Sequence, residues 1–227
     1  MYKKKPFFIV FEGIEGCGKS YQAQKLKKNL KKKGINSILT REPGGTKSAE
    51  SIRTLILKDY FNKGKEEKFD KYTDTLLYLA ARNEHVKNKI KPALKKKNVV
   101  ICDRFIDSTL AYQVYVKKVN RSFITHIHKF ILQGIKPNIT FILIVSPKSS
   151  KLRLKKRKTK NRYDNFSQSF YTKAQKSFLK IAKNKKNYFV LDSSLNNADL
   201  EKKIFKIVSK YLKIKWMQMN TMIQKNL

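Results

Sequence analysis

The sequence predicts an α/β fold, a doubly wound five-stranded parallel sheet flanked by helices. Five short apolar runs rich in β-branched and aromatic residues recur at Phe7–Phe11, Ile35–Leu39, Val99–Cys102, Ile139–Val145 and Tyr188–Leu191. Helical apolar spacing fills the segments between them, and strand–helix alternation is the mark of parallel strands joined by helical crossovers. Glycine is also concentrated: of eight glycines, five fall in two loops, at Gly13, Gly16 and Gly18 and at Gly44 and Gly45.

The first run is almost wholly apolar, as a strand buried on both faces must be. It leads into Gly13-Ile14-Glu15-Gly16-Cys17-Gly18-Lys19-Ser20, and then into a helical pattern with Ala23, Leu26 and Leu30 set among lysines. Gly34 stands where that helix needs a C-terminal cap, ahead of the second strand. Directly after this strand comes Thr40-Arg41-Glu42-Pro43-Gly44-Gly45-Thr46. Leu76, Leu79 and Ala80 mark the next helix, which leads to Ile90, and the third strand exits into Asp103-Arg104-Phe105-Ile106-Asp107-Ser108-Thr109. Phe123, Ile127, Phe130 and Ile131 give the apolar face of a further helix, with Gly134 near its end. Lys151 to Lys160 is the densest charge run, continued by the polar stretch Asn161 to Asn165. After the last strand, Leu200, Ile204, Ile207 and Tyr211 repeat at helical spacing. We expect one domain over 1–214 and a loosely attached tail over 215–227.

The formal charge of +37 comes from 53 basic against 16 acidic residues, but 45 of the basic residues are lysines spread over nearly every polar stretch. Charge scattered in this way is not a nucleic-acid-binding stripe, and no sequence-reading motif accompanies it, so no specific nucleic-acid partner is expected. No stretch approaches 18 apolar residues, and Pro6 to Phe11 is too short for a signal segment, so the chain reads as cytoplasmic with no membrane partner. Cys17 and Cys102 lack metal-ligand spacing and read as reduced thiols. His85, His126 and His128 suggest structural or solvated roles, the last two on the polar side of a helix at Thr125 to Leu132.

The glycine-rich loop has the pattern G-x-x-x-x-G-K-[ST] in its required setting between strand and helix, which places the chain among P-loop NTPase folds. Backbone N–H groups of such a loop surround nucleotide phosphates, and the following helix adds its positive end. The ATP-binding residues are therefore Gly13, Ile14, Glu15, Gly16, Cys17, Gly18, Lys19 and Ser20. Lys19 is expected to act catalytically on the β and γ oxygens and Ser20 to hold Mg²⁺. Asp103 ends a strand as a Walker-B acid would, and is a candidate for Mg²⁺ or its waters. Arg41 and Arg104 stand at strand exits, where open α/β sheets bind ligands, in a chain with only eight arginines. A guanidinium there can grip a phosphate bidentately. There is no N-K-x-D element or D-x-x-G switch to suggest a GTPase. A nucleic-acid motor would end a strand in paired acids, where this chain has Asp103-Arg104.

The sequence resembles the bacterial-type thymidylate kinases. The resemblance rests on Phe11-Glu12-Gly13 entering the loop, on Thr40-Arg41-Glu42-Pro43-Gly44-Gly45-Thr46, on Tyr78-Leu79-Ala80-Ala81-Arg82, on Asp103-Arg104-Phe105, and on Ser108-Thr109-Leu110-Ala111-Tyr112-Gln113, in family order over most of residues 7 to 195. It implies transfer of the γ-phosphoryl group of ATP to dTMP, giving dTDP and ADP for dTTP synthesis, by a Mg²⁺-dependent homodimer with a helical lid at about 150–165. The other readings are a different nucleotide or deoxynucleotide kinase and, in another class, a basic ATP-dependent nucleic-acid-binding protein.

By the resemblance, Glu15 approaches the deoxyribose 3′-hydroxyl, and Arg41 and Arg104 hold the dTMP phosphate. Tyr78 lies against thymine, Arg82 and Thr109 meet the base edge, Arg53 is a further pocket residue, and Tyr112 crowds the sugar C2′. The chain also departs from the family pattern: Asn138 and Ile144 stand where acids are frequent, and Asn161-Arg162 replaces an Asp-Arg pair. Another branch of the family has arginine at the position of Gly16, so the catalytic cation is expected from the lid, with Arg153, Arg157 and Arg162 as candidates.

Overall fold

The computed structural model describes residues 5–57, 69–156, 166–194 and 197–214. Its strands are β1 (Phe7–Glu12), β2 (Ser37–Arg41), β3 (Val99–Asp103), β4 (Ile139–Ile144) and β5 (Tyr188–Asp192). All pair in parallel, in the order β2-β3-β1-β4-β5. The chain passes to one side of β1 for β2 and β3 and to the other for β4 and β5, so the order reverses at β1 and a crevice opens at the C-terminal strand ends. Asp103 lies level with both Phe11 and Arg41 in the register, which brings three strand exits to one height.

Side chains alternate across β1. Phe7, Ile9 and Phe11 join the larger core, while Phe8 and Val10 join the smaller one with Val86, Ile90, Val100 and Phe105. The larger core is covered by α1 (Lys19–Lys32), α8 (Gln168–Ala182) and α9 (Asn197–Leu212). α1 buries Ala23, Leu26 and Leu30, and α9 buries Leu200, Ile204, Val208 and Leu212. Their outward faces carry exposed lysines, Lys27, Lys28, Lys31 and Lys32 on α1 and Lys202, Lys203, Lys206 and Lys210 on α9, joined by Lys173, Lys176 and Lys180 on α8.

The second strand begins at Ser37, two residues later than expected, and runs through Arg41. Ile35 belongs to the end of α1: with Gly34 at φ +69, the Ile35 N–H donates to Leu30 O at 3.0 Å, and the side chain is buried against the helix it terminates. Asn138 replaces a family acid without leaving a gap, because its Oδ1 accepts from Phe8 N at 2.7 Å and its own N–H donates to Phe8 O at 2.8 Å.

The remaining helices are α2 (Lys47–Leu57), α3 (Lys71–His85), α4 (Lys91–Lys95), α5 (Ile106–Thr109), α6 (Arg121–Leu132) and α7 (Pro147–Lys155). A π-helical stretch, Val86–Ile90, joins α3 to α4, and another, Leu110–Val116, continues α5. Asp70, Asn120, Ser146 and Ser167 cap α3, α6, α7 and α8 through side-chain oxygens that accept first-turn N–H groups. Two expected helix faces are rotated. On α6, Ile124 and His128 are buried and Phe130 is 66% exposed, so His128 does not share the polar side with His126. On α3, Asp74, Thr75, Leu79 and Arg82 are buried, whereas Leu76 and Ala80 are exposed. Arg82 and His128 are drawn inward by a hydrogen-bonded network described below, whereas Asp74 accepts from Lys117 Nζ at 2.7 Å and Thr75 donates to Lys71 O at 2.6 Å. Among the described residues, no helix is long and apolar enough to cross a membrane.

Candidate active site

The strand ends surround a cleft of about 560 Å³ lined by the glycine-rich loop, Arg41, Arg53, Tyr78, Arg82, Asp103, Arg104, Thr109, Tyr112 and Arg153. Ile14 and Cys17 are fully buried behind the loop. Arg157 and Arg162 lie outside the described residues, as does the tail over 215–227.

Lys19 opens α1 and folds back over its own loop, its Nζ donating to Gly13 O at 3.1 Å and Ile14 O at 2.7 Å. Ser20 Oγ donates to Asp103 Oδ2, so the two candidate metal oxygens meet at the mouth of the loop. Helix α7 packs directly on the loop. A Cβ at Gly16 would lie 2.8 Å from Ser150 O, in a backbone with φ +70 that side chains rarely adopt. Ser150 Oγ donates to Glu15 O at 2.7 Å. From the same helix, Arg153 donates to Ser193 O at 2.8 Å and to Gly16 O at 3.3 Å. The packing that excludes a side chain at position 16 thus brings a guanidinium over the loop from α7.

Across the cleft, Arg104 sits in the left-handed region at φ +74. Its Nη1 donates to Gly13 O at 2.9 Å and to Ser108 Oγ at 3.0 Å, and its Nη2 donates to Glu15 Oε1 at 2.7 Å. Tyr112 donates from its hydroxyl to Glu15 Oε2 at 2.8 Å, while its ring stacks on Phe170 and lies 5.4 Å from the Arg104 guanidinium carbon. Burial works against the Arg104 charge, but Glu15, Tyr112, Asp103 and Glu12 together outweigh it and hold the group cationic well above its usual range. Arg41 is more exposed and pairs with Glu50 at 3.0 Å. Glu50 also accepts from Gly45 N at 2.9 Å, and Arg53 donates to Pro43 O at 2.6 Å.

Behind the pocket lies a buried polar network centred on Arg82. Its Nε donates to Glu42 Oε2 at 2.7 Å. Nη1 donates to Thr109 Oγ1 at 2.7 Å and His128 Nε2 at 2.8 Å, and Nη2 donates to Phe105 O at 2.8 Å while lying 2.7 Å from Glu42 Oε2. His85 bridges Glu42 Oε1 at 3.0 Å and Thr40 Oγ1 at 2.7 Å. Gly45 passes so close that a Cβ there would lie 2.6 Å from the His85 ring. Burial alone would raise the Glu42 carboxyl, but Arg82 and His85 outweigh it and keep the group ionised below the usual range.

A second buried carboxylate, Glu12, ends β1. It accepts from Phe105 N at 2.8 Å, Ser108 N at 3.1 Å and Ser108 Oγ at 2.6 Å, and so ties β1 to the turn that carries Arg104. Burial first, then the neighbouring Asp107 carboxyl, push its pKa from 4.5 up to about 8. The folded chain therefore retains a proton that an unfolded Glu12 releases near 4.5. This contribution to stability is complete below that pH and is lost as pH rises through about 8. Glu12→Gln cannot ionise, so the melting temperature of the native chain should fall relative to this variant between about pH 5 and pH 8. A difference that stays flat across that interval, read by calorimetry, would refute the assignment.

Of the candidate site residues that the structure describes, all but Gly13, Ile14 and Cys17 line this cleft. Sequence reasoning gave no role to Glu42, Glu50 or the buried Gln113, whose Nε2 has no hydrogen-bond partner among the described residues and which lines the same cleft, and it gave His85 and His128 only a structural or solvated one. A charged residue closing an apolar run, as in Phe11-Glu12, was the one available signal for the buried acids. The histidines offered none.

Comparison with known proteins identifies the family. The sequence model of the family described as thymidylate kinase matches residues 11–204. A thymidylate kinase of Sulfurihydrogenibium sp. (strain YO3AOP1) is 38% identical over 197 residues, 86% of this chain and 93% of that protein. One from Wolbachia pipientis subsp. Culex pipiens (strain wPip) is 46% identical over 178 residues, 77% of this chain and 80% of that protein. Among solved structures, thymidylate kinase from Ehrlichia chaffeensis aligns with a TM-score of 0.70 at 33% identity, covering 90% of this chain and 99% of its own. A family match that runs from the end of β1 into α9, with relatives of this similarity over most of their length, means that the chain belongs to the thymidylate kinase family.

Proposed function

We infer that the chain transfers the γ-phosphoryl group of ATP to dTMP, giving ADP and dTDP. The observation that carries this reading is Glu15: a residue of the phosphate loop whose carboxylate is held by Arg104 and Tyr112 from the opposite wall, so that donor and acceptor pockets share one side chain. Lys19 and the loop amides hold the donor phosphates, and Arg104 and Arg41 hold the acceptor phosphate. Positioning and charge neutralisation then supply most of the rate. A phosphate monoester near neutral pH is already largely an anion, so no general base is required and Glu15 serves binding.

Mg²⁺ fits the site, since Ser20 and Asp103 offer two hard oxygen donors side by side at the loop. When bound, it neutralises charge on the β and γ phosphates. A coupled assay with ATP, Mg²⁺ and a panel of dTMP, dUMP, UMP, AMP and GMP tests the function, and preferential turnover of any acceptor other than dTMP would overturn it. Tyr112→Ala should relax discrimination against a 2′-hydroxyl, because a pocket that excludes by crowding loses that exclusion on truncation. An unchanged ratio of dTMP to its ribose analogue would remove this role.

A homodimer is proposed from a separate observation. Leu55 on α2, Tyr72 and Leu76 on α3 and Phe130 on α6 are exposed apolar side chains on three helices, with α2 packed on α3 and α3 on α6. This is the apolar surface that a second copy would cover. Sedimentation should give a dimer for the native chain and a monomer for the double variant Leu76→Glu, Phe130→Glu. A native monomer at micromolar concentration would exclude the pairing.

A further inference from the structure

We infer that His128, on α6 and outside the cleft lining, is a positioning residue for base recognition: its Nε2 lone pair anchors Arg82 Nη1 and, through Arg82, directs the Thr109 hydroxyl into the nucleotide pocket. The inference rests on the dTMP kinase reading and adds a residue to it. A guanidinium has five N–H donors and no acceptor. In this chain four hydrogen bonds join it to Glu42 Oε2, Phe105 O, Thr109 Oγ1 and His128 Nε2, and Nη2 also lies 2.7 Å from Glu42 Oε2.

Two consequences follow from these contacts. Because Arg82 can only donate, His128 Nε2 must carry a lone pair, which places the ring proton on Nδ1. Because Thr109 Oγ1 accepts from Arg82, its single hydroxyl proton is directed elsewhere, and Thr109 lines the cleft where the base would lie. The residue that presents a donor to a pyrimidine carbonyl is then oriented by a histidine one guanidinium away. Burial, together with the Arg82 charge, pushes the His128 pKa down to about 3, although Glu42 opposes this, so the ring keeps its acceptor near neutral pH. Glu42 and Phe105 O hold the opposite side of the guanidinium. Without His128, Nη1 therefore swings on a fixed edge and loses its hold on Thr109.

The test compares His128→Ala with His128→Asn, which restores a side-chain acceptor on a shorter arm. dTMP binding is measured calorimetrically without ATP, alongside kcat and KM for dTMP and dCMP. His128→Ala should weaken dTMP binding about tenfold, reduce the preference for dTMP over dCMP, and leave kcat within about twofold, as loss of one buried hydrogen bond that acts on ground state and transition state alike. His128→Asn should recover most of the affinity. Native affinity in the alanine variant, equal impairment of both variants, or a kcat loss as large as the affinity loss would each overturn the inference. ¹⁵N NMR of the native chain gives a test that needs no variant: an Nε2–H tautomer at His128 would also overturn it. A native chain that binds no dTMP would refute the functional reading instead, and the two failures are thereby distinguished.

Discussion

Replacing Arg153 by lysine should lower turnover on the order of 10³-fold with little change in dTMP affinity, since an arginine delivered over a closing phosphoryl-transfer site contributes about 10³–10⁵ in rate. Arg153 reaches the loop from α7, with its guanidinium against Gly16 O and Ser193 O, over the point where Gly16 supplies no charge. Lysine preserves charge, and Lys151, Lys155 and Lys156 flank the position in sequence, so the variant tests geometry and not charge. What lysine cannot reproduce is the planar fork that engages two oxygens at once. The contact with a transferring phosphate would form on closure, so kcat should fall while KM holds. Arg157→Lys and Arg162→Lys serve as comparators in the same assay. Should all three variants keep turnover within about threefold of the native chain, the lid-arginine mechanism fails and Lys19 with Mg²⁺ must suffice.

Lys19→Ala should cost at least about 10²-fold in turnover, because its ammonium is matched to charge that grows in the transition state. The side chain is buried at the head of α1, and its amine already bridges two carbonyls of the loop. Removing it leaves those carbonyls without that donor, a destabilisation of about 1–3 kcal/mol that the sheet can absorb. Circular dichroism should therefore remain native. Activity within about threefold of the native chain, with the fold intact, would exclude this role for Lys19.

The strands were legible because a parallel sheet covered on both faces demands near-continuous apolar runs, and chance rarely writes five of them. The exception was the start of β2. Ile35 is apolar and β-branched like its neighbours, but it closes a helix, and only the hydrogen bond to Leu30 distinguishes the two uses. Helix faces were harder to read. Leu76 and Phe130 have the spacing of core residues and lie outside, because periodicity reports that a face is apolar without saying whether the chain's own core or a second molecule covers it. His128 and Asp74 turn inward for the opposite reason, each held by a charged partner, Arg82 or Lys117, that is remote in sequence. The P-loop and the residues at strand exits were legible because their chemistry requires short, fixed spacing. The acids and histidines that hold the arginines in place come from scattered positions, and only the fold assembles them.

The lysines on the outward faces of α1, α8 and α9 have a kinetic consequence, although they touch nothing in the cleft. A body of net charge +37 is surrounded by a field that gathers multivalent anions, and such fields can raise encounter rates by roughly 10- to 10³-fold at low ionic strength. ATP, dTMP, ADP and dTDP are all such anions. Arrival is hastened and departure is slowed by the same potential, which decays over a Debye length of about 8 Å in physiological salt. The apparent affinity of this kinase for its nucleotides is therefore expected to be a joint property of its pocket and of the electrolyte around it, weakening as salt screens the lysines on the outward helix faces.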